Sequence, residues 1–512
     1  MTSAIPPRVD LHYRVEVDGV SRRIDLPFTT AVLADLAGMP AEPLPPVRDR
    51  HFVDVDAEGF DRYLRATAPR LLLTLPDLHA AGSTVDVELR FLRLDDFAPP
   101  ALVRQVPALA AAVAGPAHAA VCRQLDAIVA HPDFLRLESA WRGLQRLVAA
   151  NEPDGLCPVR VMSIGKAELA KTLTRHKGTA RDQSPIFKRL YTEALGSAGA
   201  EPVGCIVVDF EFDHGPRDLE MLGELRQIAA ACQAPLLAAA APPLLQMESW
   251  QELSIPRDIA KIFQMPEYEA WWALRAGEDA AWLVLTVLRY VERLPWRGVA
   301  LGGGAVYDEG QAGGLLPAPL YAGAAWLLAS AIQRAFRVHG WFDSIEGLTG
   351  GGAFEDLPRD GACGPTEKPV DDHRIEQLAR MGLTVLAVHE RSGIALFPRL
   401  ATLAKAAEFD DPDAGRHARV AVGLRYRLVV GRLAHFMRQI VRDGAMVGLG
   451  AVEMQRRLQA WLADYSEPPA GAPDRAAGAC RPLARAEVTV EPSAAETGVL
   501  VARFSVRPKG HH

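Results

Sequence analysis

Apolar and polar residues alternate near the start of the chain. Val9, Leu11, Tyr13, Val15 and Val17 share one side of an extended backbone, and Ile24 and Leu26 return after an Asp18-Gly19 turn, the pattern of a half-buried β-hairpin. Leu33 to Ala37 reads as a brief loop or helical turn, and Pro43 to Pro46 forces extended chain. A helix over about 57–68 and an alternating strand through Val85, Val87, Leu89 and Phe91 complete a small α+β unit, with Pro99-Pro100 at its edge. Residues 103–130 are Ala-rich and read as helices broken at Gly115-Pro116. The period then changes from two to between three and four. Phe134, Leu137, Trp141, Leu144 and Val148 form one helical face, Pro132 suits the first turn, and Glu138 precedes Arg142 by one helical turn. Gly143 in that helix permits a close neighbour.

Short continuous apolar runs follow, the mark of buried central strands. Val159 to Val161, Cys205 to Asp209 and Leu236 to Ala241 are such runs, and the helix over 219–232 between the last two predicts a parallel βαβ crossover. Further runs at 282–288, 383–388 and 394–398 are separated by long helices at about 317–339 and 416–442, and strands at 486–490 and 499–506 end the chain. The class is α/β: a small α+β N-terminal part, a large α/β part with mixed sheets and long helices, and C-terminal strands.

Composition supports a globular chain rather than a disordered one, with 49% hydrophobic and 23% charged residues over 512 positions. A formal charge of −7 argues against a general nucleic-acid binder. The six cysteines, at 122, 157, 205, 232, 363 and 480, have neither zinc nor disulfide-framework spacing, and no run is long enough to insert in a membrane, so a soluble cytoplasmic protein is expected.

Little in the sequence points to catalysis. Gly302–Gly304 and Gly350–Gly352 lack the residues that make a glycine run a phosphate cradle, Gly165-Lys166 fails the same test, and neither His-Glu-x-x-His nor Gly-x-Ser-x-Gly occurs. Asp209, Glu211, Asp213 and His214 gather at the end of a buried strand, so an α/β enzyme or ligand-binding protein using Asp209 and His214 is the rival reading. No catalytic, cofactor-binding or metal residue is assigned, and no cofactor is expected. The strongest basic element is the helix carrying Arg416, Arg419, Arg425, Arg427, Arg432, Arg438 and Arg442, which reads either as a solvated face or as an interface for an acidic surface.

Taken together, these segments resemble the contractile sheath proteins of the bacterial type VI secretion system. Residues 7–97 resemble the small sheath subunit through Pro7-Arg-Val-Asp-Leu-His-Tyr, Leu26-Pro-Phe, Val32-Leu-Ala-Asp-Leu-Ala-Gly, Pro43-Leu-Pro-Pro-Val-Arg-Asp-Arg and Phe52-Val-Asp-Val-Asp. Residues 124–508 resemble the large subunit through Leu137-Glu-Ser-Ala-Trp-Arg-Gly-Leu, Asp182-Gln-Ser-Pro-Ile-Phe-Lys, Met247-Glu-Ser-Trp-Gln-Glu-Leu, Arg289-Tyr-Val-Glu-Arg-Leu-Pro-Trp and Arg432-Leu-Ala-His-Phe-Met. The resemblance implies both sheath parts in one polypeptide: a small-subunit-like domain at 1–97, a shortened helical connector at 98–123 and a large-subunit-like region at 124–512. It implies a structural protein, not an enzyme, that polymerises helically with itself around an inner Hcp-like tube protein, meets baseplate components and drives the tube by contraction. A non-contractile or regulatory sheath-like protein is the alternative within the same class.

The departures lie chiefly at the junction, where the small subunit's helical C-terminus and the large subunit's N-terminal extension are missing. Those ends link protomers in the family and present the helix read by a recycling AAA+ ATPase. Leu288 replaces a usual proline, Glu346 replaces an arginine, and the chain stops soon after Pro508. The expected interface residues are Arg432, His435, Arg438 and Arg442, and the expected structural anchors are Trp141, Arg142 and Asp209.

Overall fold

The computed structural model describes residues 8–17, 20–77, 83–113, 118–151, 154–196, 200–255, 257–311, 317–342, 345–348, 351–361, 363–446, 448–467, 481–492 and 500–509. The Asp18-Gly19 turn, the Gly115-Pro116 break, Gly350 and Cys480 lie outside the described residues.

The central element is a seven-stranded sheet. Its order from one edge to the other is Leu383–Val385, Leu283–Val287, Leu236–Ala240, Val203–Phe212, Thr29–Ala34, Val159–Ser163 and Val53–Asp54. All neighbours run parallel except the last pair. The expected βαβ crossover is present: Val203–Phe212 leads through the Pro216–Cys232 helix to its parallel neighbour Leu236–Ala240.

Thr29–Ala34 corrects the expectation of a loop at Leu33. Its six residues are all buried and hydrogen-bonded on both sides, with Val32 opposite Val161 on one flank and Val207 on the other. The segment is short, and four of its six residues are Thr or Ala, so its apolar signal is weak. Two flanking parallel strands nevertheless give the run backbone partners on both sides, and burial follows. The N-terminal α+β segment is therefore not walled off at residue 97. Its own ribbon, Arg70–Pro76 paired with Thr84–Arg90, buries Leu71, Leu73 and Leu89 in the same core as Trp141 and Trp326.

Helices cover both faces of the sheet. Pro132–Ala149 and Ala324–His339 pack on the face of Val32, Val161 and Val207, while Lys166–Arg175 and Pro216–Cys232 pack on the face of Leu33, Met162 and Val208. The helix expected over 317–339 starts only at Ala324, because Leu320–Gly323 pairs antiparallel with Arg289–Arg293. The helix expected over 416–442 is broken at Gly423 into Pro412–Val422 and Leu424–Met446. A further helix, Ala451–Asp464, supports the C-terminal ribbon Leu483–Pro492 and Leu500–Pro508. Gly302–Gly304, with φ of 102°, 61° and 84°, turns the hairpin between Val299–Gly302 and Ala305–Tyr307.

Two departures from the resemblance have local reasons. Leu288 joins two strands at φ 72°, a left-handed backbone that a proline ring, fixed near −65°, does not adopt. Glu346 accepts a hydrogen bond from Leu400 N at 2.9 Å, which an arginine cannot do.

Gly431 lets Leu424–Met446 lie directly on the turn at Gln233, whose carbonyl oxygen an added Cβ would strike. Gly431→Ala is expected to cost about 2–3 kcal/mol. Gly223, inside the Pro216–Cys232 helix with nothing within 4 Å of an added Cβ, is the control, and Gly223→Ala should stabilise by about 0.5–1 kcal/mol. Thermal unfolding of the two variants checks the opposite signs.

Candidate functional site: the clamp on the central strand and the open surfaces

Of the side chains expected as anchors, Trp141 holds the chain that leaves the inserted strand, and Asp209 lies on the neighbouring strand. Trp141 is fully buried, donates from Nε1 to Leu36 O at 3.0 Å, and meets Phe60 edge-on at 5.8 Å between ring centroids. It thus joins the Pro132–Ala149 helix to the chain leaving Thr29–Ala34 and to the helix Phe60–Thr67. Gln333 adds a bond to Thr30 Oγ1 at 2.9 Å. Two residues along from Trp141, Gly143 makes room for Trp326, whose Nε1 would lie 2.7 Å from an added Cβ. Trp326 donates to Asp209 Oδ1 at 2.8 Å.

Asp209 sits in a bulge. Val207 pairs with Leu237 and Glu211 with Ala239, so a step of four on one strand matches a step of two on the other. Such bulges re-aim side chains. Burial pushes the Asp209 carboxyl up to about 7, against the opposing effect of the Trp326 bond and with help from Glu211 and Asp35.

Arg142 takes the predicted partner, donating from Nε to Glu138 Oε1 at 2.8 Å. The sequence did not disclose that Glu138 is fully buried and also receives Arg293, from Nε at 3.0 Å, while Arg293 reaches Glu309 at 3.3 Å. Four charges of alternating sign thereby cross from the helix to the strand Arg289–Arg293.

The four expected interface residues separate into two pairs. Arg432 and His435 face inward, at 5% and 2% exposure, so in this chain they form no outer surface. Arg432 donates to the carbonyls of Leu26 and Pro27, just before the central strand, and lies over the rings of Phe336 and Phe436 at 4.9 and 4.8 Å. Burial pulls its guanidinium down to about 9. His435 Nε2 contacts Cys232 O at 2.8 Å, so it donates there, and burial pulls the imidazole down to about 4. The missed signal is periodicity, since Arg432, His435 and Gln439 follow Leu428 on one helical face. Arg438, over the Tyr191 ring at 5.3 Å, and Arg442, beside Asp443 at 3.6 Å, remain partly exposed.

The rival pair does not converge. His214 contacts Pro243 O at 3.0 Å and stacks on Tyr268, whereas Asp209 faces Trp326. Asp213 Oδ1 accepts from Gly215 N, and Lys166 bridges Glu211 O and Asp218. Among the described residues no group of His, Cys, Asp and Glu is placed to hold a metal ion, and no helix is long and apolar enough to cross a membrane.

Three surfaces are open instead. Pro412–Val422 is an eleven-residue helix with no buried residue, displaying Arg416, His417 and Arg419. The C-terminal ribbon packs one face on Ala451–Asp464 and leaves the other to solvent. A cleft of about 880 Å³ lies between the N-terminal strand and that helix, lined by Arg8, Arg14, Arg457 and Arg481 with Asp10 and Asp464 beside Trp461 and Tyr465, Arg8 being paired with Asp10 at 2.7 Å. Arg14 stands directly across the hairpin from Arg23, whose charge Asp25 meets at 2.9 Å.

Comparisons with known proteins agree along the chain. Residues 116–404 match the family described as EvpB/VC_A0108, tail sheath N-terminal domain; residues 1–115 match the type VI secretion system VipA family; residues 413–511 match the tail sheath gpW/gp25-like domain. The Pseudomonas aeruginosa type VI secretion system sheath protein TssC1 is 40% identical over 403 residues, 75% of this chain and 79% of that protein. Sheath protein TssB1 of the same organism is 40% identical over 103 residues, 20% of this chain and 60% of that protein. Similar solved structures include the anti-feeding prophage helical sheath in its contracted state, at TM-score 0.41 and 11% identity over 99% of this chain and 93% of that one. The anti-feeding prophage baseplate also scores 0.41 at 11% identity, over 96% of each chain.

Asp209 yields a pH test. Folded, the carboxyl keeps its proton up to about pH 7, whereas unfolded it releases it near 3.8, so the folded state binds more protons between those values and stability falls as pH rises through the window. Asp209→Asn keeps an acceptor for Trp326 and removes that penalty, of about 4 kcal/mol at most. Urea unfolding should show the variant more stable than the parent at pH 8 and nearly equal to it at pH 4; equal gains at both values would place the effect elsewhere.

Proposed function

The chain belongs to the family of type VI secretion sheath proteins, carrying small- and large-subunit parts in one polypeptide, and we propose that it is a structural subunit that polymerises helically around an inner tube and drives it by contraction. The observation that carries this reading is that the two sheath families match consecutive stretches of one chain, 1–115 and 116–404, whose strands interleave in one sheet. On this reading residues 1–97 act as the small-subunit part, 98–123 as a shortened connector and 124–512 as the large-subunit part, in the cytoplasm.

Assembly of this kind needs several complementary surfaces, since head-to-tail contacts that do not close into a ring generate a helical tube. Three regions are suited to it. An eleven-residue helix is marginal alone in water, so Pro412–Val422 gains by docking, and its cationic side suits an acidic groove on a tube or a neighbouring protomer. The C-terminal and N-terminal ribbons have edges that a neighbour's strand can extend. The cleft, whose four arginines outnumber its two aspartates, suits a carboxylate-bearing neighbour. Arg438 and Arg442 join this outer set, while Trp141, Arg142 and Asp209 hold the protomer together. Contraction is then a change of packing between such protomers and requires no bond chemistry. An Hcp-like tube protein and baseplate components are the partners; engagement of a recycling AAA+ ATPase would have to use a surface other than the missing junction helix.

Negative-stain microscopy of the purified protein, alone and with a tube protein, tests the reading. Helical tubes are expected, and single protomers under both conditions would overturn it. Arg416→Glu combined with Arg419→Glu should leave the circular dichroism spectrum unchanged and reduce tube formation at least about tenfold, the equivalent of about 1.4 kcal/mol per contact.

A further inference from the structure

The relatives of the two halves are separate proteins in one organism, while here both halves share a chain. We propose that this chain is insulated from free small sheath subunits: its slot for the central strand is filled in cis, so it neither takes up a separate small subunit nor swaps its N-terminal part with a second copy. The sheath reading enters only in naming the competitor.

The slot is closed on every side. Thr29–Ala34 is bonded to Val159–Ser163 and to Val203–Phe212, and all its residues are buried. Arg432 grips the carbonyls of Leu26 and Pro27 on entry, Trp141 holds Leu36 O on exit, and Gln333 holds Thr30 within. A competing strand cannot add beside this one. It must replace it, which opens two ladders in the middle of the core and strands the Arg432 guanidinium without its carbonyl acceptors.

The connection between the halves works in the same direction. The helices Pro99–Gln105, Pro107–Ala112 and His118–Val129 bury Leu102, Val103, Leu109, Val121, Leu125 and Ile128 in the common core. Asp126 receives Tyr307 OH at 2.8 Å and Gly310 N at 2.9 Å, pinning the last of these helices to the large part. Between Val113 and His118 the chain spans at most about 18 Å. Packed helices thus lie on both sides of this short stretch, so the N-terminal part is delivered to its own slot at high effective concentration.

The test uses the full chain with a protease recognition sequence placed between Val113 and His118. Cut protein carrying an isotope-labelled N-terminal piece is mixed with unlabelled acceptor, either cut or uncut, and uptake is read by native mass spectrometry. The cut acceptor should exchange its piece over hours to days, and the uncut acceptor should take up at least about 100-fold less. Equal uptake by the uncut acceptor overturns the proposal, and equal resistance of the cut acceptor overturns the strap's part in it, showing that the filled slot insulates without a covalent link. Tube formation by the uncut protein, scored separately, reports on the sheath reading alone.

Discussion

The structure depends on one placement: a six-residue strand from the N-terminal segment in the middle of a parallel sheet. A strand at an edge can be lost with one ladder. A central one carries two, and its removal would expose the apolar faces of both neighbours to water. The features that look most specific, Trp141 on Leu36 O, Gln333 on Thr30 and Arg432 on Leu26 and Pro27, all converge on its two ends or its middle. The sheet edges are treated differently. One ends in the two-residue strand Val53–Asp54, and the other is covered where Thr384 exchanges hydrogen bonds with Ala401. Both devices blunt an edge against unwanted pairing.

This placement also explains which parts of the sequence were legible. Cys205 to Val208 and Leu236 to Ala240 are strongly apolar runs of strand length, and their crossover follows from local pattern alone. The Trp141 helix declared itself through period, first-turn proline and the Glu138 pair. Thr29–Ala34 did not, because its strand character comes from two partners more than a hundred residues downstream, and nothing local distinguishes Thr-Thr-Ala-Val-Leu-Ala from a loop entering a turn. Arg432 was misread for a related reason. Arginine on a helix is usually solvated, and only the position of two backbone carbonyls some four hundred residues away makes a buried one tolerable. The Glu138–Arg293 contact, spanning 155 positions, was equally invisible.

The buried charges share a logic that bears on assembly. Glu138, Arg293 and Arg432 each have specific partners at fixed geometry, and removing one partner would leave the other charged and unsolvated. The Arg432 contact ties the small part to the large one, while Glu138 and Arg293 brace the large part itself. The ionisable groups at the end of the Val203–Phe212 strand fit the same account: Asp209, Asp213 and His214 each turn to a different structural partner, so a cluster that is compact in sequence is dispersed in space.

A rigid body of this kind transfers the burden of movement to its attachments. The ribbons at the two ends of the chain have only two strands each, and such ribbons gain stability from what they pack against or pair with. The exposed helix Pro412–Val422 is in the same position, lying before the Gly423 break. In a helical polymer these elements can exchange one set of neighbours for another while the interleaved sheet stays intact, because core packing resists graded deformation and interfaces do not carry that constraint. Fusion strengthens the division. With the small part held in cis, an applied load has no internal seam to open, and the contacts that yield during any change of lattice must lie between protomers.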